Sequence, residues 1–273
     1  MEWINGVVAT NSLGSESALP LMSLLFVAGL ISGFSGFALA AVAVCILWLL
    51  PPLQAIPLIM LLSTCNQIFS VSRVPGDMPL FGPEASKRAM PYIVGGLVGV
   101  PIGLILLMEL SSATFAGYLG TFLLLYSAFG WGKRDISGLS DTTRLKLAGL
   151  GPTLVVGAIG GIVGGFSAFP GAIPVMYLRL LGKTRIETRG IVQPYILALQ
   201  VLSLVILAAI SPDVFGGIFW LLVVTTLPAA LVGTMLGVEL YRRMSEVTFR
   251  RTVLLLLIAS GTSLVAKSLI HAA

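Results

Sequence analysis

Two short stretches rich in glycine, serine and phenylalanine contain residue types that could do chemistry. They read GFSGF at 33–37 and GFSAF at 165–169, and each interrupts a long apolar run. Glycine permits positive φ angles, and a serine can cap a half-helix or donate to a ligand. Because free N–H groups at a helix N-terminus attract anions, the stretches predict an anion-binding turn. The alternative is close helix packing through small residues. The predicted binding residues here are Gly33, Phe34, Ser35, Gly36, Gly165, Phe166, Ser167, Ala168 and Pro170.

Amide side chains within apolar runs form a second group of candidates. Asn66 and Gln67 lie in one run, and Gln193 and Gln200 lie in another. An amide inside a membrane span either bonds to a neighbouring helix or lines a pathway, and the sequence leaves both roles open. Gln67 and Gln200 are 133 positions apart, so we expect them to be symmetry mates of an internal repeat. All four are predicted to bind the same anion.

Three arginines adjoin the expected inner ends of membrane spans. They are Arg73, Arg179 and Arg189. The plain interpretation is that each is a loop charge whose stem lies along the span and whose head stays in water. The sharper hypothesis is that one of them guides an anion at the cytoplasmic mouth.

The sequence offers little to an enzyme or a metal site. Cys45 and Cys65 lie in apolar segments, and the one histidine, His271, is close to the C-terminus. Because catalysis needs a nucleophile, a base and often metal ligands within reach, we expect no enzyme, no cofactor and no metal. No Asp or Glu lies at the centre of an apolar run, so a midplane carboxylate relay is not predicted. Whether the cysteines take part in function stays open.

Composition places these residues in a lipid bilayer. Of the 273 residues, 57% are hydrophobic and 10% are charged, whereas soluble domains carry roughly a quarter of charged residues. The apolar runs are continuous rather than alternating, which favours helices over a barrel. The basic residues are scattered over short loops, so nucleic acid is not an expected partner.

The chain is predicted to be a tandem duplication. GLISGFSGF at 29–37 aligns with GIVGGFSAF at 161–169, at an offset of 132 positions. LVGVPIGLILLMELSSATF at 97–115 aligns with LVGTMLGVELYRRMSEVTF at 231–249, at an offset of 134. Two separate matches at nearly the same offset indicate an internal repeat.

The positions of Lys and Arg indicate how the two repeats are oriented. If the long runs 20–50 and 147–178 both crossed the membrane, the basic loops would be divided between its two sides, against the positive-inside bias. If each run instead enters, turns and returns, the four basic loops fall on one side. Each repeat then has a hairpin and three spans, so the second repeat is inverted, as in many secondary transporters. These loops are 73–88, 133–146, 179–189 and 242–251.

The expected fold is an all-α integral membrane protein with two inverted repeats, each a broken re-entrant helical hairpin plus three transmembrane helices. The first repeat, 1–132, has its hairpin at 20–50 and its spans at 53–72, 89–108 and 112–131. A cytoplasmic linker at 133–146 leads to the second repeat, 147–273, with its hairpin at 147–178 and its spans at 190–210, 215–240 and 252–270. The N-terminus is expected outside.

The chain resembles the TauE/SafE family, the sulfite exporter or 4-toluene sulfonate uptake permease group, in GLISGFSGFALA, GGIVGGFSAFPGAIPVMYL and the terminal SEVTFRRTVLLLLIASGTSLV. The resemblance covers nearly the whole chain. It implies a transporter of the bacterial cytoplasmic (inner) membrane that moves sulfite, sulfonates or other small sulfur-containing or organic anions, often outward. The halves differ where Ala38 aligns with Pro170, so the two hairpins need not contribute equally.

These observations predict a secondary transporter that works by alternating access, with its anion between the two hairpin tips. An anion channel that uses the same re-entrant hairpins is the alternative. The expected partners are the small anion and the lipid bilayer. A homodimer is compatible with the sequence, which does not determine the oligomeric state.

Overall fold

The fold is built from helices that cover the apolar runs. The computed structural model describes residues 15–35, 39–71, 83–131, 141–241 and 246–272, and helices are the only regular secondary structure within these ranges. The α-helices are α1 Ser15–Ser35, α2 Leu39–Ala43, α3 Pro52–Val71, α4 Pro83–Glu109, α5 Ser112–Trp131, α6 Asp141–Leu147, α7 Leu150–Ser167, α8 Ala172–Leu180, α9 Arg185–Ile210, α10 Gly217–Tyr241 and α11 Glu246–Ala272, with 3-10 helices at Val44–Trp48 and Pro212–Phe215.

Within the described ranges, seven helices are long and apolar enough to cross a membrane. They are α3, α4, α5, α7, α9, α10 and α11. Shorter apolar segments are Leu19–Gly33 in α1 and Leu39–Trp48 in α2 with the following 3-10 helix. Large apolar side chains cover the outer faces, with Leu125 66% and Val224 69% exposed, as on a surface that lipid surrounds. The all-α, multi-pass membrane protein predicted from the sequence is therefore confirmed.

Two helix pairs cross at the repeated glycines. In the first pair, Gly29 of α1 lies against Ala230 of α10, and Gly33 lies against Thr234 one turn further along. A Cβ at either glycine would overlap the carbonyl oxygen opposite, so these crossings require glycine. Because residue numbers rise together along the two helices from the first contact to the second, α1 and α10 run in the same direction.

The second pair repeats this arrangement. Gly99 of α4 lies against Ala158 of α7, and Gly103 lies against Ile162, so α4 and α7 also run in the same direction. On the other side of the crossing, a Cβ at Gly165 would lie 2.6 Å from the Val100 carbonyl oxygen. α7 continues through Gly165 to Ser167, so the turn expected within the stretch 165–169 begins only at Ala168. Gly165 serves the crossing instead, and the turn follows at 168–171.

After that turn, the chain returns along α7. Pro170 lies against Gly164 of α7. Further along, the Tyr177 hydroxyl of α8 donates to the Leu147 carbonyl, which precedes the start of α7. α7 and α8 therefore form a helical hairpin, and α8 is its return arm.

The short arm after α1 packs on the last helix. Trp48 Nε1 donates to Ser263 Oγ of α11 at 2.7 Å. The Lys267 ammonium donates to the Leu47 carbonyl at the end of the 3-10 helix and lies 5.7 Å from the centre of the Trp48 ring. A lysine that binds a terminal carbonyl complements the negative end of a helix. This arm is therefore attached to α11 through polar groups.

α5 and α11 run in opposite directions. Gly117, near the start of α5, lies against Ser268, near the end of α11. Gly130, near the end of α5, lies against Leu254, near the start of α11. The two ends of one helix therefore meet the opposite ends of the other.

α3 and α9 occupy the middle of the molecule. α3 packs against α9 and α10, and α9 packs against α4 as well. Along α4 and α9 the contacts advance together, because the Tyr92 ring lies 6.4 Å from Tyr195 and Gly96 lies against Leu199 one turn later. Polar residues on the inner faces of α3 and α9 therefore lie inside protein rather than against lipid.

Candidate functional site

The tip of the second hairpin is held by its own backbone. Ala168 has a left-handed backbone, with φ 60°, and its N–H donates to the Gly164 carbonyl at 2.8 Å. This conformation costs a residue other than glycine about 1–2 kcal/mol, and the aligned residue in the first half is Gly36. Gly171 precedes α8, and no side chain caps that helix. The positive end of α8 therefore lacks a side-chain acceptor.

Ser167 and Phe166 have partners on the α7 side of this turn. Ser167 Oγ donates to the Val163 carbonyl at 2.7 Å, and Ser167 is 0% exposed. The Phe166 ring packs on Phe115 of α5, with ring centres 4.4 Å apart. Ser167 does not cap α8, because Gly171 is at the cap position of that helix and no side chain accepts a hydrogen bond from its first N–H groups. Its role as a ligand-binding residue stays a prediction.

The first hairpin tip is only partly within the described residues. Gly33 lies in the α1–α10 crossing, so it is a packing residue rather than part of a turn. Phe34 and Ser35 end α1, and their side chains lie outside the described part, as does the whole of Gly36. The binding roles predicted for these three residues stay predictions.

Gln200 of α9 joins the two halves of the chain. Its Nε2 donates to Ser63 Oγ of α3 at 3.0 Å and to the Ala168 carbonyl at 3.3 Å. Its Oε1 accepts from Gln67 Nε2 at 3.3 Å and lies 3.3 Å from Thr64 Oγ1. A primary amide has two donor hydrogens and two acceptor positions, so every position of Gln200 has a neighbour. One buried side chain thus ties α3, α9 and the hairpin turn together.

The bond between Gln67 and Gln200 joins the two amides that the sequence predicts to be symmetry mates of an internal repeat. The symmetry itself stays a prediction.

Asn66 connects α3 to the first helix crossing. Its Nδ2 donates to Ser32 Oγ of α1 at 2.7 Å, and its Oδ1 accepts from Thr234 Oγ1 of α10. Thr234 Oγ1 also lies 3.1 Å from the Gly29 carbonyl. Asn66 therefore acts as an interhelical link in this structure, which is one of the two roles considered for the amides.

Gln193 is the predicted amide that the structure leaves without a partner. It is buried on α9, and neither Nε2 nor Oε1 has a hydrogen-bond partner among the residues that the structure describes. It lies seven residues before Gln200, which places both amides on the same face of the helix. Gln193 therefore belongs neither to the group that joins Gln67 to Gln200 nor to the group that joins Asn66 to Ser32 and Thr234.

Arg179 and Arg189 lie near the ends of helices, and their role at a cytoplasmic mouth stays a prediction. Arg179 is in the last turn of α8 and is exposed, and Arg189 is half-buried near the start of α9. The Thr184 side chain accepts from the Glu187 N–H, and the Glu187 carboxylate accepts from the Thr184 N–H. This capping box fixes the start of α9, which is the end that carries Arg189. Arg73 lies outside the described residues.

Four small hydroxyl residues belong to the network but were missed by reasoning from the sequence. They are Ser32, Ser63, Thr64 and Thr234. Serine and threonine can satisfy their hydroxyl proton on the carbonyl four residues earlier, as Thr64 does with Met60 at 2.8 Å. Such residues therefore give a weak signal inside a span. For Ser63 and Thr64, a spacing of about one helical turn from Asn66 and Gln67 was the available clue, whereas Ser32 and Thr234 lie on other helices and gave none.

The described part of the chain has few side chains that could bind a metal ion or react as thiols. No three His, Cys, Asp or Glu side chains are grouped there so that they could hold a metal ion. Cys45 and Cys65 are free thiols, and Cys45 Sγ donates to Ser260 Oγ of α11 at 3.3 Å. What the site offers is a set of amide and hydroxyl donors next to an uncapped helix N-terminus.

Comparison with known families gives one match. The family model described as "Sulfite exporter TauE/SafE" matches residues 21–264 of the 273. No curated protein and no solved structure matches the chain. The family match confirms the resemblance drawn from the glycine-rich repeats.

Proposed function

The chain belongs to the sulfite exporter TauE/SafE family, and we propose that it is a secondary transporter that exports a small anion across the bacterial inner membrane. The substrate is sulfite, a sulfonate or another organosulfur or organic anion. The family supports a membrane transporter of the sulfite or sulfonate type, and the direction, the substrate and the mechanism are our proposal. Transport rather than catalysis is the activity proposed.

The observation that carries this proposal is the position of Gln200. Its amide links α3 of the first half, α9 of the second half and the Ala168 carbonyl at the hairpin tip. Transporters built from repeats bind their substrates where the repeats meet, often at interrupted helices. Gln200 and Gln67, which bond to each other, form the polar part of such an interface together with Asn66, the neighbour of Gln67 on α3, so we place the anion beside them.

The chemistry of an oxyanion suggests how binding would move the hairpin. The unprotonated oxygens of an oxyanion accept hydrogen bonds, so they would recruit Nε2 of Gln67 and Nε2 of Gln200. Gln200 Nε2 would then leave the Ala168 carbonyl and the turn between α7 and α8 would lose its link to α9. Occupancy of the site would thereby be coupled to movement of the second hairpin, which is the differential contact that an alternating mechanism needs.

Helix directions support the inverted arrangement of the repeats. α5 and α11 occupy equivalent places in the two halves and run in opposite directions. Had the run at 147–178 crossed the membrane fully, three crossings would separate α5 from α11, and an odd number of intervening crossings would make the two helices parallel. The return of α8 along α7 supports the same topology, with the basic loops in the cytoplasm and the N-terminus outside.

The test is uptake of labelled sulfite and of a labelled sulfonate into liposomes that contain the purified protein. Gln200→Leu should reduce uptake by about tenfold or more, because a lost hydrogen bond to a charged group corresponds to roughly 1.5–3 kcal/mol. The matched control is Gln54→Leu. Gln54 lies near the start of α3, the helix that carries Gln67, but it is not bonded to Gln67 or Gln200 in the described part of the chain. Uptake by Gln54→Leu should equal that of the unaltered protein.

The proposal fails if Gln200→Leu, shown to be folded and inserted, transports as fast as the unaltered protein. It also fails if the unaltered protein moves none of these anions. A fall in uptake of equal size in both variants would indicate a general effect of replacing an amide rather than a role for this site.

A further inference from the structure

Gln193 is a buried amide that has no partner for either of its polar atoms. The residue is 1% exposed, and both Nε2 and Oε1 lack a hydrogen bond. An unpaired polar group in the interior disfavours the folded state. Gln200, on the same helix and equally buried, has a neighbour at every position. Gln193 therefore offers one donor group and one acceptor that nothing in the described part of the chain uses.

The face of α9 that carries Gln193 lines the turn of the second hairpin. Gln200 reaches the start of this turn, where its Nε2 donates to the Ala168 carbonyl at 3.3 Å. One turn along α9, Ile196 lies against the end of the hairpin turn, since a Cβ at Gly171 would be 2.6 Å from Ile196 Cδ1. Gln193 is the next residue of this stripe. Val192, the residue before Gln193, also lies against Gly171, so Gln193 is placed on α9 at the level where α8 begins.

The surroundings of this amide favour an anion. α8 begins after Gly171 without a side-chain cap, so the positive end of the helix is available to a negative group. Arg189 precedes Gln193 by four residues on α9, so the two residues lie on the same face of the helix one turn apart. The N-terminal end of α8 is the source of positive potential near the Gln193 amide.

We propose that Gln193 binds a singly protonated oxyanion, one with a hydroxyl and an unprotonated oxygen on the same atom, of which hydrogensulfite is the simplest. This inference rests on the proposed function and specifies the protonation state of its substrate. The Nε2 group donates to the unprotonated oxygen, and Oε1 accepts from the hydroxyl, in two parallel hydrogen bonds. An anion without a hydrogen to donate satisfies Nε2 alone and leaves Oε1 unpaired.

Thermal unfolding of the purified protein with two probes tests this. Sulfite and methanesulfonate are compared at one mildly acidic pH, where sulfite is largely hydrogensulfite and methanesulfonate has the same charge but no hydrogen to donate. In the unaltered protein, sulfite should raise Tm more than methanesulfonate does. In Gln193→Met the two probes should raise Tm equally. Without any ligand, Gln193→Met should unfold about 2–4 °C above the unaltered protein, because an unpaired buried amide has been removed.

A second variant separates binding from structure. Gln67→Met removes an amide that is bonded to Gln200 at 3.3 Å, so its ligand-free Tm should fall. A fall in the ligand-free Tm of Gln193→Met would show that Gln193 has a structural role and would overturn the inference. Retention of the advantage of sulfite over methanesulfonate in Gln193→Met would overturn it as well. If neither probe raises Tm of the unaltered protein, it is the proposed function that fails.

Discussion

A single alanine sets the bend at the tip of the second hairpin. Ala168 is 0% exposed and has a φ of 60°. Both of its backbone polar groups are used, the N–H by the Gly164 carbonyl and the carbonyl by Gln200. The strain of this conformation, about 1–2 kcal/mol, is thus located at a residue that belongs to the polar network.

At this residue, we expect glycine to be tolerated and valine to be harmful. Ala168→Gly removes the left-handed penalty and adds chain entropy to the unfolded state, so stability should stay within about 1 kcal/mol of the unaltered protein. Ala168→Val places a β-branched side chain in a conformation that it rarely adopts and should lose about 1–3 kcal/mol. Thermal unfolding of both variants measures this. Equal stability of the two would contradict the left-handed geometry.

The amides show what residue types alone could and could not predict. Asn66, Gln67, Gln193 and Gln200 stand out because an amide is rare within an apolar run. Their partners could not be inferred, because each lies on another helix: Gln200 binds Ser63 across the two halves of the chain. Which amide is paired depends on how the helices cross, and Gln193 is recognisable as unpaired only in the folded chain.

At the scale of helices, the repeated glycines determine how closely α4 approaches α7. A Cβ at Gly165 would lie 2.6 Å from the Val100 carbonyl oxygen, and one at Gly161 would lie equally close to the Gly96 carbonyl. The motif has a Gly at every fourth residue, which is the pattern of close helix crossings in membranes. These glycines therefore have the packing role that the sequence offered as the alternative to a turn. The turn itself is formed by the residues that follow, 168–171.

The two ends of α7 should respond oppositely to the same substitution. Gly165→Ala forces α4 and α7 apart and should cost about 1–3 kcal/mol. Gly151, at the start of the same helix, has no atom within 4 Å of an added Cβ, so Gly151→Ala should gain about 0.5 kcal/mol from helix propensity. Unfolding of each variant in the same detergent decides the sign. A loss at Gly151 equal to that at Gly165 would mean that the crossing is not the cause.

The arm after α1 is attached to α11 by side chains that the sequence did not single out. Trp48 and Ser263 are 215 positions apart and bond at 2.7 Å. Trp48→Phe and Ser263→Ala should each lower stability, and the double variant should lose less than the sum, with a coupling of about 0.5–1.5 kcal/mol. A double-mutant cycle of unfolding free energies measures the coupling. Strict additivity would show that the bond does not contribute.

At the scale of the whole molecule, hydropathy predicted the fold class well, because about 20 apolar residues are needed to cross a bilayer. The continuous runs became helices such as α4, Pro83–Glu109, and α9, Arg185–Ile210. The inverted relation of the halves remains our proposal, supported by the opposite directions of α5 and α11. Apolar patterns could not show which helices pair, since a lipid-facing leucine and a helix-facing leucine have the same hydropathy.

The central claim is that an anion passes through a binding site that alternates between the two sides of the membrane. Counterflow tests it most directly. Liposomes containing the protein and loaded with unlabelled sulfite are placed in a trace of labelled sulfite. The account predicts transient accumulation of label inside and a rate that saturates with concentration. Label that only equilibrates, at a rate that rises linearly with concentration, would indicate a channel and contradict the account.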